Sequence, residues 1–333
     1  MKSVKRNALR VAAATVASGV LAAGAVALAG AASASTLSPA STASLASSAN
    51  ATHYSFQTLN NDHDLTFNQL LGINDEGVIA GYFGSGAAGH PNKGYVLLPP
   101  YGQGNYINEN FIGSVQTQVT GLNNRGVTVG FWSNTNMGVG MDANFGWVNV
   151  NGHFRQADFP TGDPASPVTD QLLGINDFDI AVGFWTDGQG NNHGYEYNIN
   201  TGRFSSVVDP QNKGAALQAT AINDRFDIAG NIGSDGFLLT HGGKFITLSV
   251  PGASSTMALG VNNFDEVVGT YSVGSSTSSV MHGFTWTPQH GFTTVDDPHG
   301  IGTTVINGVN DKGQLVGFYA DSAGNTDGLL ATP

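Results

Sequence analysis

Six times in this chain an asparagine is followed seven residues later by a glycine, inside nearly the same phrase. The pairs are Asn74/Gly81, Asn123/Gly130, Asn176/Gly183, Asn223/Gly230, Asn262/Gly269 and Asn310/Gly317. Before each Asn stands Ile, Leu or Val, and before that Gly, with Ala221 the exception. Successive asparagines lie 49, 53, 47, 39 and 48 residues apart. A recurrence at this period describes a propeller or solenoid array, each copy being one supersecondary unit stacked on the next. Most of the recurring residues are therefore read as scaffold.

One copy, read as strands, gives the size of the unit. Around Asn176, residues 171–175 and 180–185 are short apolar runs, residues 194–197 alternate, and residues 203–208 form a fourth run. Asn, Asp and Gly punctuate them, which is a strand and turn pattern. Four antiparallel strands in about 47 residues match a propeller blade. The Asn is expected to close the first hairpin as an Asx-turn. The Gly seven residues on is expected inside a strand, where neighbouring sheets approach closely. A further Gly opens each third strand, at 94, 146, 194, 236, 283 and 328.

The ends of the array choose between ring and solenoid. The chain finishes on a third strand, residues 328–333, with no fourth after it. Before the first Asn lies an unpaired run, residues 54–59, that reads like the other fourth strands. Supplying it to the last blade closes the ring and leaves neither terminal strand as an open edge. The expectation is an all-β fold: a six-bladed β-propeller over residues 53–333, its last blade closed by an N-terminal strand.

The first 34 residues read as an export signal. Lys2, Lys5, Arg6 and Arg10 precede an Ala/Val/Leu-rich stretch, and Ala32-Ser33-Ala34 fits the cleavage rule. An uncleaved anchor is the competing reading, because the stretch nearly reaches the ~20 residues of a membrane span. Residues 35–52, almost all Ser, Thr and Ala, read as a flexible linker. The chain is expected to be secreted, with no membrane association after signal cleavage, and monomeric. Without the leader, eight basic residues face 24 acidic ones, a net charge of −16. That balance repels phosphate backbones, so no nucleic acid partner is expected. The absence of cysteine removes disulfides, thiolate metal sites and cysteine nucleophiles.

The motif resembles the bacterial extracellular repeats called the HAF family. The phrase is Gly-Ile-Asn-x-x-Gly-x-x-x-Gly-Phe/Tyr, then Asp-x-x-Gly-Asn-x-x-Gly-Phe/Leu, then Gly-x-Phe-x-x-x-Asp-x-Pro. Residues 308–330, residues 174–195, and Gly152 to Phe154 with Asp158 to Pro160 carry it best. The resemblance implies a secreted, propeller-like protein and brings no established activity. The fourth copy departs from it, having lost its long loop between Gly230 and Gly236.

Function is expected on the face carrying the connections between blades and the loops from second to third strands, because loops on a rigid scaffold hold sites. Two polar connections flank the last blade. They place Asp62, His63, Asp64, Asp297 and His299 in one region, with His63, His299, Asp64 and Asp297 as acid–base candidates. Asp62, Asp64, Asp187 and Asp321 are candidate ligands for a divalent cation such as Ca²⁺, although Asp187-Gly-Gln-Gly-Asn191 and its counterpart at Asp321 also read as ordinary turns. Otherwise no cofactor is expected. Gln69, Gln118, Gln171 and Gln218 stand five residues before their asparagines, near the start of the innermost strand. They read either as bonds between blades or as a polar platform for sugar or peptide groups. Trp132 and Trp185 are candidate stacking surfaces that the core could equally claim.

No Gly-x-Ser-x-Gly elbow, His-Glu-x-x-His or phosphate loop is present. The leading expectation is a non-catalytic propeller binding extracellular glycan or protein through a loop-rich face. The alternative is a secreted polymer-degrading hydrolase or lyase working near His63 and His299 by acid–base or metal-assisted chemistry.

Overall fold

The computed structural model describes residues 53–275 and 278–333. The expected signal segment and the expected linker lie outside the described residues. Six four-stranded antiparallel sheets form a six-bladed β-propeller. Blade one begins with Asn68–Ile73, blade two with Gln116–Leu122 and blade three with Asp170–Ile175. Blades four, five and six begin with Leu217–Ile222, Ser255–Val261 and Thr304–Val309. These first strands pack on one another around the ring and are innermost. Ser55–Thr58 supplies the outer strand of blade six, running antiparallel to Thr326–Thr332 with Phe56 opposite Ala331. The last blade is thus completed by an N-terminal strand, as expected.

The core is partitioned by this geometry. Six apolar clusters lie at the six blade interfaces. Between blades two and three, Val129 and Val148 meet Leu172 and Tyr195, all fully buried. Each such side chain contributes ~1.5–3 kcal/mol by leaving water, so no blade's apolar face is buried without its neighbour.

Each repeated Asn does more than close its turn. Oδ1 of Asn176 accepts the backbone N–H groups of Phe178 and Ile180, the expected Asx arrangement. Its Nδ2 donates to the carbonyl of Asn223, the next repeat's Asn, at 3.0 Å. The same link runs from Asn74 to Asn123, Asn123 to Asn176, Asn223 to Asn262, and Asn262 to Asn310. Asn310 completes the cycle by donating to Asn74. One residue further along, a second cycle runs through side-chain oxygens of Asp75, Asn124, Asp177, Asp224, Asn263 and Asp311, each accepting the preceding blade's backbone N–H.

The glycine seven residues after Asn has a different role from the one expected. A Cβ on Gly183 would stand 2.0 Å from the carbonyl oxygen of Gln171, in the adjacent strand of its own blade. Every first strand carries a β-bulge, between Leu172 and Gly174 in blade three, and this pinches the backbone against the glycine. Approach between sheets falls instead to the Gly two residues before Asn. A Cβ on Gly121 would lie 3.2 Å from Cα of Gly174 in the next blade.

Candidate binding cavity

Because every first strand ends at its Asn turn, the two ends of the propeller differ. One carries the six Asn turns. The other carries the loops from second to third strands and the connections between blades. On this loop-rich face a cavity of about 370 Å³ opens over blades one to three. Its walls are residues 85–92 of blade one, residues 138–144 of blade two, residues 165–169 of the connection, and residues 186–190 of blade three. Blade four, whose second and third strands are joined directly from Ile232 to Asp235, provides no such wall.

The floor is built from amides. Gln118 Nε2 donates to Asn92 Oδ1 at 2.9 Å, and Gln171 Nε2 donates to Asn144 Oδ1 at 2.7 Å. Each bond crosses from one blade to the next. Both glutamines line the cavity, and the Oε1 atom of each is buried without a hydrogen-bond partner. Each Oε1 has almost no exposed surface, and a buried polar atom left unpaired costs ~1–3 kcal/mol, so a donor reaches either one only when the amide turns toward the cavity. The inter-blade bond expected of the glutamines is thus present at Gln118 and Gln171, with the other end of each amide unpaired. Gln69 is buried too, accepting from Tyr82 Oη at 2.9 Å, but does not line the cavity. Gln218 is half-buried and also lies outside the lining.

Two carboxylates stand in the walls. Asp142 accepts from Thr135 Oγ1, from the backbone of Met137 and Gly138, and from Gln116 Nε2. Burial works to raise its pKa, but these hydrogen bonds prevail and hold it below the usual carboxylate value. Asp187 accepts from the backbone of Gln189 and Asn191 and from His193 Nε2. Burial again opposes, and the hydrogen bonds again win, so Asp187 is also lowered. Neither Lys, Arg nor His lines the cavity.

Asp187 and Asp321 use their oxygens to close turns. Asp321 accepts from the backbone of Ala323 and Asn325 and from the Asn325 side chain. Among the described residues no three His, Cys, Asp or Glu side chains are grouped so as to hold a metal ion. Asp62 lies 3.4 Å from His63, and Asp64 caps Thr66.

The two expected histidines each meet partners close to home. His63 Nδ1 lies 2.8 Å from Asn61 Oδ1, and its ring stacks on Phe83 of blade one. His299 Nδ1 lies 3.1 Å from Asp297 Oδ1, with Tyr319 beside its ring. Asp297 is buried, and its other oxygen lacks a partner. No hydrogen bond, ion pair or ring contact among the described residues joins His63 to His299. The two tryptophans belong to packing layers. Trp185 stacks on Phe159 and His193, and Trp132 stacks on Phe111. Trp132 also borders a recess of about 20 Å³ that shares Gln116 and Gln118 with the cavity.

Asn92, Gln116, Asp142, Asn144 and Gln189 escaped the sequence reading. The signal available was the lengthening of two consecutive loops, residues 84–92 and 134–144 in blades one and two, ahead of the short fourth.

No family profile matches the chain, and no curated protein matches it in sequence. Solved structures show likeness in fold. An ulvan lyase of polysaccharide lyase family PL25 is 15% identical, with 78% of this chain and 77% of that one covered and a TM-score of 0.43. A triple arginine-to-alanine variant of AofleA from Arthrobotrys oligospora is 10% identical, with 84% and 86% covered and a TM-score of 0.42. A prolyl endopeptidase is 12% identical, with 79% and 39% covered and a TM-score of 0.42. These likenesses concern the scaffold, which hosts unrelated chemistries, and no residue role is taken from them.

Proposed function

We propose that the protein is a secreted, non-catalytic propeller that binds extracellular glycan in the cavity over blades one to three. The observation that carries this reading is the cavity's construction. Three loops on a rigid ring enclose a recess whose floor presents side-chain amides, two of them with unpaired oxygens. Amides offer both donors and acceptors, which suits the alternating hydroxyl geometry of sugars. The leader pattern at residues 1–34 supports export, and no helix among the described residues is long and apolar enough to cross a membrane.

Retention of the full chain on a panel of insoluble polysaccharides and cell-wall preparations tests the reading. Selective retention is expected, lost when residues 136–141 are replaced by a short turn, with no new reducing ends or unsaturated sugar products released. Release of such products by the wild-type chain, abolished by His63→Ala or His299→Ala, would favour the catalytic alternative instead.

A further inference from the structure

We infer that the cavity selects an uncharged saccharide and rejects uronate- and sulfate-bearing chains, a specificity that rests on the glycan-binding reading above. Recognition of a carboxylate or sulfate is favoured by Arg or Lys, whose charge and N–H groups replace the water the anion loses. No basic side chain lines this cavity. The two charges present are both negative, at Asp142 and Asp187, and both are fixed by their own hydrogen bonds. A carboxylate held by four or five donors stays ionised and stays put. It therefore acts on an incoming anion as a permanent repulsive charge, stronger in a recess than in open water.

The same charges attract a cationic sugar, but their bonds leave no carboxylate oxygen free to pair directly with an ammonium group. Asp187 already meets the His193 ring at 2.9 Å, and Asp142 is satisfied by Thr135, Met137, Gly138 and Gln116. An ammonium group entering the cavity would have to displace donors that also shape the loops. The remaining polar groups are neutral amides: Gln118 and Gln171, each with an Oε1 that has no partner, and the exposed Gln189 on the rim, whose Nε2 donates to Asp163 at 3.4 Å. Phe131, Val139 and Pro167 add apolar surface to the lining, matching the C–H faces of a pyranose ring. The volume, about 370 Å³, is near the small end of small-molecule sites and suits a terminal unit or one or two sugar residues.

The test is calorimetric titration of the full chain with soluble neutral oligosaccharides (cello-, xylo-, manno- and chitin-derived). The same is done with oligogalacturonates, sulfated oligosaccharides and chitosan oligomers, at low and high ionic strength. At least one neutral series is expected to bind with an affinity indifferent to salt, weakened tenfold or more by Val139→Trp, which fills the recess from an exposed loop position. Gln189→Ala, also on an exposed position, is expected to weaken it several-fold. The double variant Asp142→Asn/Asp187→Asn is expected to admit anionic chains that the wild type rejects. Preferential wild-type binding of anionic or cationic oligomers, abolished by Val139→Trp, would overturn the neutral specificity and leave the cavity as the site. Neutral binding untouched by Val139→Trp would overturn the cavity assignment. Failure of every oligosaccharide and every insoluble polysaccharide to bind would overturn the glycan reading itself.

Discussion

The side-chain amide of Asn310 donates to the backbone carbonyl of Asn74 at 2.9 Å, joining the last repeat to the first across 236 residues. It is the sixth link of a cycle in which every repeated Asn holds the next, so the turn that shapes a blade also fixes its position in the ring. Around the axis the links need no separate residue, because one amide has an acceptor for its own turn and a donor for its neighbour.

Substitution at this position separates the two roles. Asn310→Ala removes the acceptor for the backbone of Lys312 and Gln314 together with the donor to Asn74. Losing these three hydrogen bonds, one of them buried, should cost ~2–4 kcal/mol. Asn310→Asp keeps the acceptor but faces the Asn74 carbonyl with a carboxylate, so a comparable loss is expected from the inter-blade link alone. Denaturant titration of both variants checks this. If Asn310→Asp is as stable as wild type, the link contributes nothing to closure.

Gly183→Ala tests the bulge. Its Cβ would stand 2.0 Å from the Gln171 carbonyl, a backbone atom that cannot rotate away. The strand pair must open, and a destabilisation of ~3 kcal/mol or more is expected, at the upper end of point substitutions. Gly190→Ala, where no atom lies within 4 Å, is the control. Its positive φ of 85° should limit its cost to ~1–2 kcal/mol. Equal melting temperatures for the two variants would contradict the assignment.

The ring was legible in the sequence because its rules are local and repeated. The period, the strand rhythm and the missing final strand at residue 333 all lie on the surface of the sequence. The function of Gly183 was not legible, because a bulge is a register relation between two strands and leaves no spacing signal of its own. The inter-blade bonds of the glutamines were among the readings, yet their uncommitted oxygens depend on Asn92 and Asn144, loop residues with no counterpart in every repeat. The candidate cavity and the expected histidine region differ for the same reason. His63 and His299 stand out as departures in residue type, whereas the cavity comes from departures in loop length, whose joint geometry only the fold supplies.

The N-terminal strand should be required for a closed monomer. Ser55–Thr58 covers the edge of Thr326–Thr332, and Thr58 Oγ1 lies 2.8 Å from Tyr319 Oη. A chain beginning at Leu59 leaves that edge unpaired, and exposed edges recruit other strands. Compared with a chain beginning at His53, a melting temperature lower by at least ~5 °C is expected, with concentration-dependent self-association in sedimentation. Identical melting and a monomer at all concentrations would show that the ring closes without it.

Asp170 provides the pH test. It lies between two cavity-lining residues, Thr169 and Gln171, and is itself buried. Burial dominates and pushes its carboxyl up to about 8, with Asp158 adding to the rise while Tyr195 Oη, at 2.5 Å, and the Phe159 N–H oppose it. The folded state therefore keeps a proton that the unfolded chain releases near its ordinary value of 3.8. The sign follows: this contribution is full below pH ~4 and is lost progressively as pH rises to ~8, since in that window the native state binds more protons. Over four pH units the limit is on the order of 5 kcal/mol. Asn reproduces the protonated carboxyl, its oxygen accepting from Phe159 and its amide donating to Tyr195. Asp170→Asn should thus match wild type near pH 4 and exceed it in stability near pH 8, flattening the decline in urea midpoint between them. A variant whose stability falls with pH as steeply as wild type would show that Asp170 is ionised in the fold. The cavity floor would then rest on a buried carboxylate rather than on a neutral one.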